Sequence, residues 1–515
     1  MTMEIKNRFA RRTGCKTPAI MVVGTMSSSG KSVVAAALCR YFARRGFNPA
    51  PFKAQNMSLN SFVTREGGEM GRAQVVQAQA AGIEPHTDMN PILLKPIGEA
   101  GCQIILNGRP IGNYPARTYY TMKSRMRTAA RAAYDRLAAR HDLIILEGAG
   151  SPAEINLQAE DFVNMDMAEY AGAAVILVAD IDRGGVFAGI YGTVSLLPEK
   201  HRRLLAGTII NKFRGDKSLL DPGVQQIERL TGIPVLGVLP YVPNLAIDDE
   251  DSLSLDARQP KAGSVLDIAV IRLPRISNFT DFLPLEKTTG VRVRYVRKVH
   301  DLGAPDLIIL PGTKNTRADL RFLAAGGWCK ALKQAAHRLI PVFGICGGYQ
   351  MLGRRVTDPT GIEGAKGKEA GLDLLCVTTV LEKEKQLAQV SGKTTSDLPF
   401  AAAGTPFEGY EIHAGRTTAT DPIRRPLVIT RRRAKKTRVP EGAISDNGLV
   451  FGCYLHGLFD NDRLRTQLLG WLCKRKGIAP TIAPQQKTLV NEFDRLVSLF
   501  EKHIAMKRID CLIER

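Results

Sequence analysis

Short apolar runs rich in β-branched residues alternate with stretches of helical spacing from Ala19 to about Val238, a pattern that predicts a parallel sheet covered on both faces by helices. The expected strands are Ala19–Val23, Pro49–Lys53, Leu143–Leu146, Val175–Ala179, Thr208–Ile210 and Val235–Val238. The alternation stops after Tyr241, where a Pro-, Asp- and Ser-rich stretch carries Asp248, Asp249, Glu250 and Asp251. It resumes with Leu266–Leu273, Val291–Val296, Leu307–Leu310 and Pro341–Phe343. Two α/β units follow: residues 1–250, a linker at 251–265, and residues 266–485, with a terminal helix within 486–515 from the spacing over Thr488–Lys507. Ser391–Gly404 reads as a loop from its Ser, Thr, Gly and Ala content. The chain carries no internal repeat.

At 515 residues there is room for two large domains or about three average ones. A content of 44% hydrophobic and 23% charged residues is that of a globular chain. Lys plus Arg number 71 against 50 Asp plus Glu, and the formal charge of +21 favours an anionic partner without choosing among nucleic acid, a membrane surface and a phosphorylated or polycarboxylate small molecule. The densest basic runs (Arg431, Arg432, Arg433, Lys435, Lys436; Lys474, Arg475, Lys476) are short and lack interleaved aromatics. They read as solvated faces, so no specific nucleic-acid partner is expected.

The nine cysteines are odd in number and none are spaced as CxxC or zinc-finger pairs, which points to a reducing compartment without a disulfide framework. The longest apolar stretch, about Ala173–Ala179, falls far short of the ~20 residues that span a bilayer, and Ala19–Val23 is too short for a signal peptide. A cytoplasmic protein with no membrane partner is expected.

After the first strand comes Gly24-Thr25-Met-Ser27-Ser-Ser-Gly30-Lys31-Ser32, then helical spacing over Val33–Arg45 closed by Gly46. Strand, glycine loop and helix are the context of a phosphate-binding loop. Backbone N–H groups cradle phosphate oxygens, Lys31 reaches the terminal phosphates and Ser32 a magnesium ion. A turn that merely caps a helix would leave Lys31 unexplained, since a helix start disfavours cations. The spacing is one residue longer than the common Gly-x4-Gly-Lys-Ser/Thr pattern, and the Gly-Thr opening resembles the dethiobiotin-synthetase-like branch of P-loop proteins.

Leu143–Leu146 runs into Glu147, a carboxylate at the strand edge where α/β sheets bind ligands, and an oxygen ligand of the kind magnesium prefers. Asp180 and Asp182 end the strand Val175–Ala179 on the same edge. Asn211 ends another, and two readings fit it: an amide that meets the adenine edge, as the resemblance implies, or a turn former.

In the second unit, Pro341-Val-Phe-Gly344-Ile345-Cys346-Gly347-Gly348-Tyr349-Gln350 sets a cysteine between glycines directly after an apolar strand and before a helical Gln350–Arg354. Such a strained elbow exposes a nucleophile, the helix start lowers its thiol pKa, and the Gly347 N–H contributes to an oxyanion hole. His456, again just after an apolar strand, is the candidate base.

These residues resemble the class I glutamine amidotransferases. In them the cysteine attacks the glutamine amide to give a thioester and ammonia. The resemblance implies Gly312 as an oxyanion glycine and Gln350 as a glutamine-binding residue. The usual His-x-Glu is absent, because Gly457 and Leu458 follow His456, and a Cys–His dyad is implied. His413, in Tyr410-Glu411-Ile412-His413, is either a site residue or structural, with the structural reading preferred.

A P-loop unit followed by an amidotransferase unit is similar to the cobyrinate-amidating enzymes of cobalamin biosynthesis. Three segments carry this: Phe52-Lys53-Ala-Gln55-Asn56-Met57-Ser-Leu-Asn60-Ser61, Gly67-Gly68-Glu69-Met70-Gly71-Arg72-Ala-Gln74, and Asp88-Met89-Asn90-Pro91-Ile-Leu-Leu-Lys95-Pro96. No packing rule demands so polar a motif. The resemblance implies ATP and Mg2+, glutamine as ammonia donor, and amidation of the b, d, e and g carboxylates of adenosylcobyrinic acid a,c-diamide. Lys53, Gln55 and Asn56 stand near the phosphate edge as substrate-binding candidates, together with Asp180 and Asp182. The alternatives are the a,c-diamide-forming members, another ATP-dependent amidotransferase, and a regulatory P-loop ATPase.

Overall fold

The computed structural model describes residues 16–97, 101–242, 264–479 and 489–514. Most of the expected linker at 251–265 therefore lies outside the described residues.

The first sheet has six parallel strands: β1 (Ala19–Gly24), β2 (Pro49–Phe52), β3 (Leu143–Glu147), β4 (Ala174–Asp180), β5 (Leu205–Phe213) and β6 (Val235–Pro240), in the order β6-β5-β4-β1-β3-β2. Both faces of β1 are buried, as in a sheet covered on two sides. Ile20 and Val22 face one apolar layer, Met21 and Val23 the other. Helix α1 (Lys31–Arg44) lies in the first layer and helix α2 (Arg72–Ala81) packs beside it. An insertion between β2 and β3 supplies a four-stranded sheet that includes Gln55–Met57 and Ile92–Pro96, and the hairpin Ser61–Val63 with Glu69–Gly71.

The second sheet joins β7 (Leu266–Ile271), β8 (Val291–Val296), β9 (Leu307–Leu310) and β10 (Val342–Ile345) to a later strand, Val450–Cys453, in the order β8-β7-β9-β10-Val450–Cys453. These pairs are parallel, and Ala443–Ile444 adds an antiparallel edge. Helix α3 (Gly347–Leu352) starts three residues before the expected Gln350. Beside this sheet lies a long antiparallel pair, β11 (Val377–Thr394) and β12 (Pro406–Ala419).

Three expectations need correction. Ser391–Thr394 is strand, not loop, because β11 is paired on both sides there, with β12 and with Leu427–Arg432; cross-strand pairing outweighs the local composition. The terminal helical stretch divides into α4 (Leu489–His503) and α5 (Met506–Leu512), and both pack on the first half, with Phe493, Leu496, Val497 and Phe500 in the α1 layer. Nor is Arg432 part of a solvated face: its guanidinium binds the buried Glu411 carboxylate through Nε at 2.8 Å and Nη2 at 2.9 Å.

The two halves meet through polar contacts. Ser61 N–H donates to Asn278 Oδ1 at 2.9 Å, Phe279 N–H to Asn60 Oδ1 at 3.2 Å, and Tyr410 OH to the Ser61 carbonyl at 3.2 Å. Phe62 packs on Tyr410. The polar motif at 52–74 thus has a packing reason that the sequence hides: several of its residues form the contact between halves.

Candidate active sites in the two halves

Cys346 sits at the turn between β10 and α3 with φ 54° and ψ −109°, a strained backbone for a residue with a side chain. The turn is tight enough that a Cβ on Gly348 would fall 1.9 Å from the Leu310 carbonyl oxygen, so only glycine fits. The Cys346 thiol faces the Ile412 carbonyl at 3.5 Å.

His456 is 1% exposed, and its Nδ1 lies 2.6 Å from Asp281 Oδ2. The other oxygen of that carboxylate accepts the Gly457 N–H at 3.0 Å. Burial alone would drive the imidazole neutral, but Asp281 and the Cys346 thiol, each by charge and by a hydrogen bond, lift it to about 10. The implied Cys–His dyad is thereby corrected. An acid does orient the imidazole, and it comes from the short turn Phe279–Phe282 after β7 instead of from the residues following His456. Asn278, with φ 52°, places its amide 3.4 Å from His456 Nε2, and Tyr410 stacks on the imidazole.

The two nominated oxyanion glycines border this space. A Cβ on Gly312 would lie 3.3 Å from His456 Cε1, and one on Gly347 would lie 3.1 Å from Thr313 N. Gln350 is buried, with its carbonyl accepting from Thr316 Oγ1 at 2.8 Å and its amide facing Tyr454 OH at 3.2 Å. His413 stacks on Tyr454 and binds the Gly415 carbonyl at 2.8 Å; burial holds it neutral, with its pKa pushed down to about 3. It packs behind Gln350's partner Tyr454, in keeping with the structural reading.

In the first half, the 24–32 loop bends from β1 into α1. A Cβ on Gly24 would fall 2.3 Å from Ser29 Oγ, which is why the loop opens on glycine. Thr25 N–H is tied to the Val178 carbonyl at 3.0 Å, Ser27 is exposed at the crest, and the buried Ser29 hydroxyl has no partner among the described residues. Lys31 Nζ reaches the carbonyls of Met26 at 3.0 Å and Gly150 at 3.2 Å, curling over the loop.

Ser32 Oγ donates to Glu147 Oε1 at 2.8 Å, so the two nominated magnesium ligands are adjacent. Glu147 is wholly buried rather than solvent-facing, and is held by Lys53 Nζ at 3.0 Å and Gln77 Nε2 at 2.5 Å. A hydroxyl beside a carboxylate is the kind of oxygen donor set that a magnesium ion sharing its coordination with phosphate would accept.

The remaining candidates separate. Asn211 donates to the Ser29 carbonyl at 3.0 Å and so braces the loop between Ser29 and Gly30. Asp180 and Asp182 are engaged by Lys212 and Arg214, each at 2.7 Å. Gln55 accepts from Tyr119 OH, and Asn56 donates to Gln74 Oε1 at 3.1 Å. Sequence reading missed Asp281, Asn278 and Gln77. No spacing marks the first two, and Gln77 carries only the signal of a polar residue on a helix whose neighbours are small and apolar.

Residues 20–255 match the CobQ/CobB/MinD/ParA nucleotide binding domain, and residues 267–464 the CobB/CobQ-like glutamine amidotransferase domain. Fold and site thus define a two-part glutamine-dependent amidating ligase. The chain is 48% identical over 505 residues to the cobyric acid synthase of Pelotomaculum thermopropionicum, covering 96% of each chain. It is also 48% identical over 498 residues to that of Desulforudis audaxviator, covering 96% of this chain and 99% of the relative. The chain belongs to the cobyric acid synthase family. Among solved structures, PurLQS from Thermotoga maritima aligns with a TM-score of 0.31 and 21% identity over 40% of this chain and 99% of that one. No helix among the described residues is long and apolar enough to cross a membrane.

Proposed function

We propose that the chain amidates the b, d, e and g carboxylates of adenosylcobyrinic acid a,c-diamide in turn, with ATP activating each carboxylate and glutamine supplying the ammonia. One observation carries this reading: a strained cysteine beside a His456–Asp281 pair in one half, and a Lys31–Ser32–Glu147 phosphate-loop set in the other, within a single chain.

At the glutaminase site the Cys346 thiolate attacks the side-chain amide carbon of glutamine while the N–H groups around Gly312 and Gly347 receive the developing oxyanion. His456 then gives its proton to the departing nitrogen, the C–N bond breaks, and ammonia leaves a thioester behind. Water, deprotonated by the same imidazole, releases glutamate and restores the thiol. Asp281 fixes the imidazole by its Nδ1 and stabilises its charged form. Gln350 holds the glutamine substrate.

At the synthase site the substrate carboxylate attacks the γ-phosphorus of ATP, giving ADP and an acyl phosphate. Ammonia attacks the acyl carbon, and phosphate leaves with formation of the amide. Lys31 steadies the terminal phosphates. Ser32 and Glu147 would hold a magnesium ion, which supplies charge neutralisation on the transferring phosphate. Lys53, beside Glu147, adds a fixed positive charge at the same edge.

The test is anaerobic incubation of the protein with glutamine, Mg-ATP and adenosylcobyrinic acid a,c-diamide, with mass spectrometry of the corrinoid over time. Four successive amidations are expected. An unchanged corrinoid with glutamine hydrolysis intact would overturn the substrate assignment.

A further inference from the structure

A cavity of about 280 Å³ in the amidotransferase half has no part in the chemistry above. It lies among Tyr349 on α3, Thr417 on β12, Arg425, Glu441 and Tyr454, and neither Cys346 nor His456 is among the described residues that line it. It shares a wall with the glutaminase site all the same: Tyr454 OH, which faces Thr417 Oγ1 at 2.5 Å, also meets the Gln350 amide at 3.2 Å. The exposed Pro440 stands at its edge, so a guest can enter from solvent. Pockets for drug-sized ligands run to ~300–1,000 Å³, and this one, being smaller, suits a small molecule.

Two side chains of opposite charge line the cavity without pairing with each other. Glu441 closes the strand Lys435–Glu441 and is 8% exposed. Its Oε1 accepts the Tyr454 N–H at 2.7 Å, while its Oε2 has no donor among the described residues. Arg425 stands two residues before the strand Leu427–Arg432 and uses only Nη1, toward the Gly442 carbonyl at 2.6 Å and the Tyr349 hydroxyl at 3.4 Å. Its Nε and Nη2 have no acceptor among the described residues, and the Tyr349 hydroxyl has a proton of its own to give. Burial, with the charge of nearby Glu411 added, pushes the Glu441 carboxyl up to about 7, so a cation beside it would favour its ionised form. A guanidinium with a free edge is shaped to hold a carboxylate through two parallel N–H bonds. The cavity thus offers one acceptor for a cation and one fork for an anion. A simple amine would leave the fork unmet, and a simple carboxylate would face Glu441. A molecule carrying an ammonium and a carboxylate on one carbon satisfies both.

We propose that this cavity is a binding site for a free α-amino acid, with its carboxylate on the Arg425 guanidinium and the Tyr349 hydroxyl and its ammonium group on Glu441. The inference rests on the geometry of the cavity and not on the proposed reaction.

The test fills the Cys346 site first, with 6-diazo-5-oxo-norleucine, a glutamine analogue that alkylates a glutaminase cysteine. The alkylated protein is then dialysed against 14C-labelled L-glutamate, and about one equivalent per chain should be retained. L-alanine, which has both charged groups and a short side chain, should displace it. Glutarate, without the ammonium group, and n-butylamine, without the carboxylate, should not. Glu441→Gln keeps the shape and the acceptor for the Tyr454 N–H but removes the charge, and Arg425→Gln removes the fork; each should weaken retention about tenfold or more. No retention by the alkylated wild type overturns the site, as does displacement by glutarate as readily as by L-alanine, or equal retention by wild type and variants. If one variant fails to fold, the other decides. A Cys346 that the analogue leaves unmodified counts against the glutaminase reading instead, and the difference of one equivalent between untreated wild type and Glu441→Gln then decides the site.

Discussion

Asp281 Oδ2 lies 2.6 Å from His456 Nδ1 across 175 residues of chain, and both side chains are buried. Asp281→Asn keeps the shape and removes the charge, leaving the imidazole free to take the wrong tautomer. Glutaminase kcat should fall about a hundred- to ten-thousand-fold while ammonia-supported amidation persists. Steady-state glutamate release against amide formation with ammonium chloride checks it.

Cys346→Ala should abolish glutamine-supported amidation and spare the ammonia-supported reaction. Lys31→Ala should lose both, since it removes phosphate contacts that each nitrogen source needs. Glutamine use at the normal rate by the Cys346 variant would sink the elbow assignment.

The His456 pKa, raised from 6.5 to about 10, makes stability depend on pH in one direction. The folded state binds that proton more tightly than the unfolded chain, so its contribution is complete below about pH 6.5 and fades as pH rises toward 10. Breaking the buried pair by Asp281→Asn should cost about 3–5 kcal/mol at pH 6 and markedly less at pH 10. Urea midpoints of wild type and variant at the two pH values, read on the unfolding transition of the amidotransferase half, give the comparison.

A methyl group at Gly348 has no room, because the obstacle is the backbone oxygen of Leu310 and not a flexible side chain. Gly348→Ala should therefore displace the elbow and lower glutaminase activity at least as strongly as Asp281→Asn, with ATP binding unaffected. Nucleotide titration alongside glutamate release separates the two halves.

Removing residues 489–515 should strip Phe493, Leu496, Val497 and Phe500 from the α1 layer, along with the Arg40–Asp494 and Tyr41–Asp510 contacts. Each of those apolar side chains is worth about 1.5–3 kcal/mol of burial. The truncated chain should lose ATP binding or solubility before it loses glutaminase activity, as thermal unfolding followed with and without nucleotide would reveal.

Local signals made the strands and both motifs legible. Ala19–Gly24 and Val342–Ile345 are apolar runs ending in glycine-bearing turns, and the turns themselves, at Lys31 and Cys346, have compositions that packing alone does not select. Asp281 was not legible, because it sits in a four-residue turn with no periodicity and meets His456 only after the second sheet has formed. The segment from Asn60 to Gln74 was seen as unusual, but the contacts of Ser61 with Asn278 and of Glu69 with Lys385 exist only between halves, which no window of sequence spans. Ser391 hides its strand for the same reason: pairing with Glu408 and Arg431 on two distant strands outweighs what its neighbours prefer.

The return of α4 and α5 to the α1 layer orders events during synthesis. The strands of the second sheet leave the ribosome before Phe493 and Phe500 do, so the glutaminase half has all its own material while the nucleotide-binding half still lacks part of one apolar layer. A nascent chain that stalls short of its last helices therefore leaves the apolar layer under α1 incomplete. A prematurely ended product would be an exposed apolar layer for quality control to remove, and not a working half-enzyme that consumes ATP.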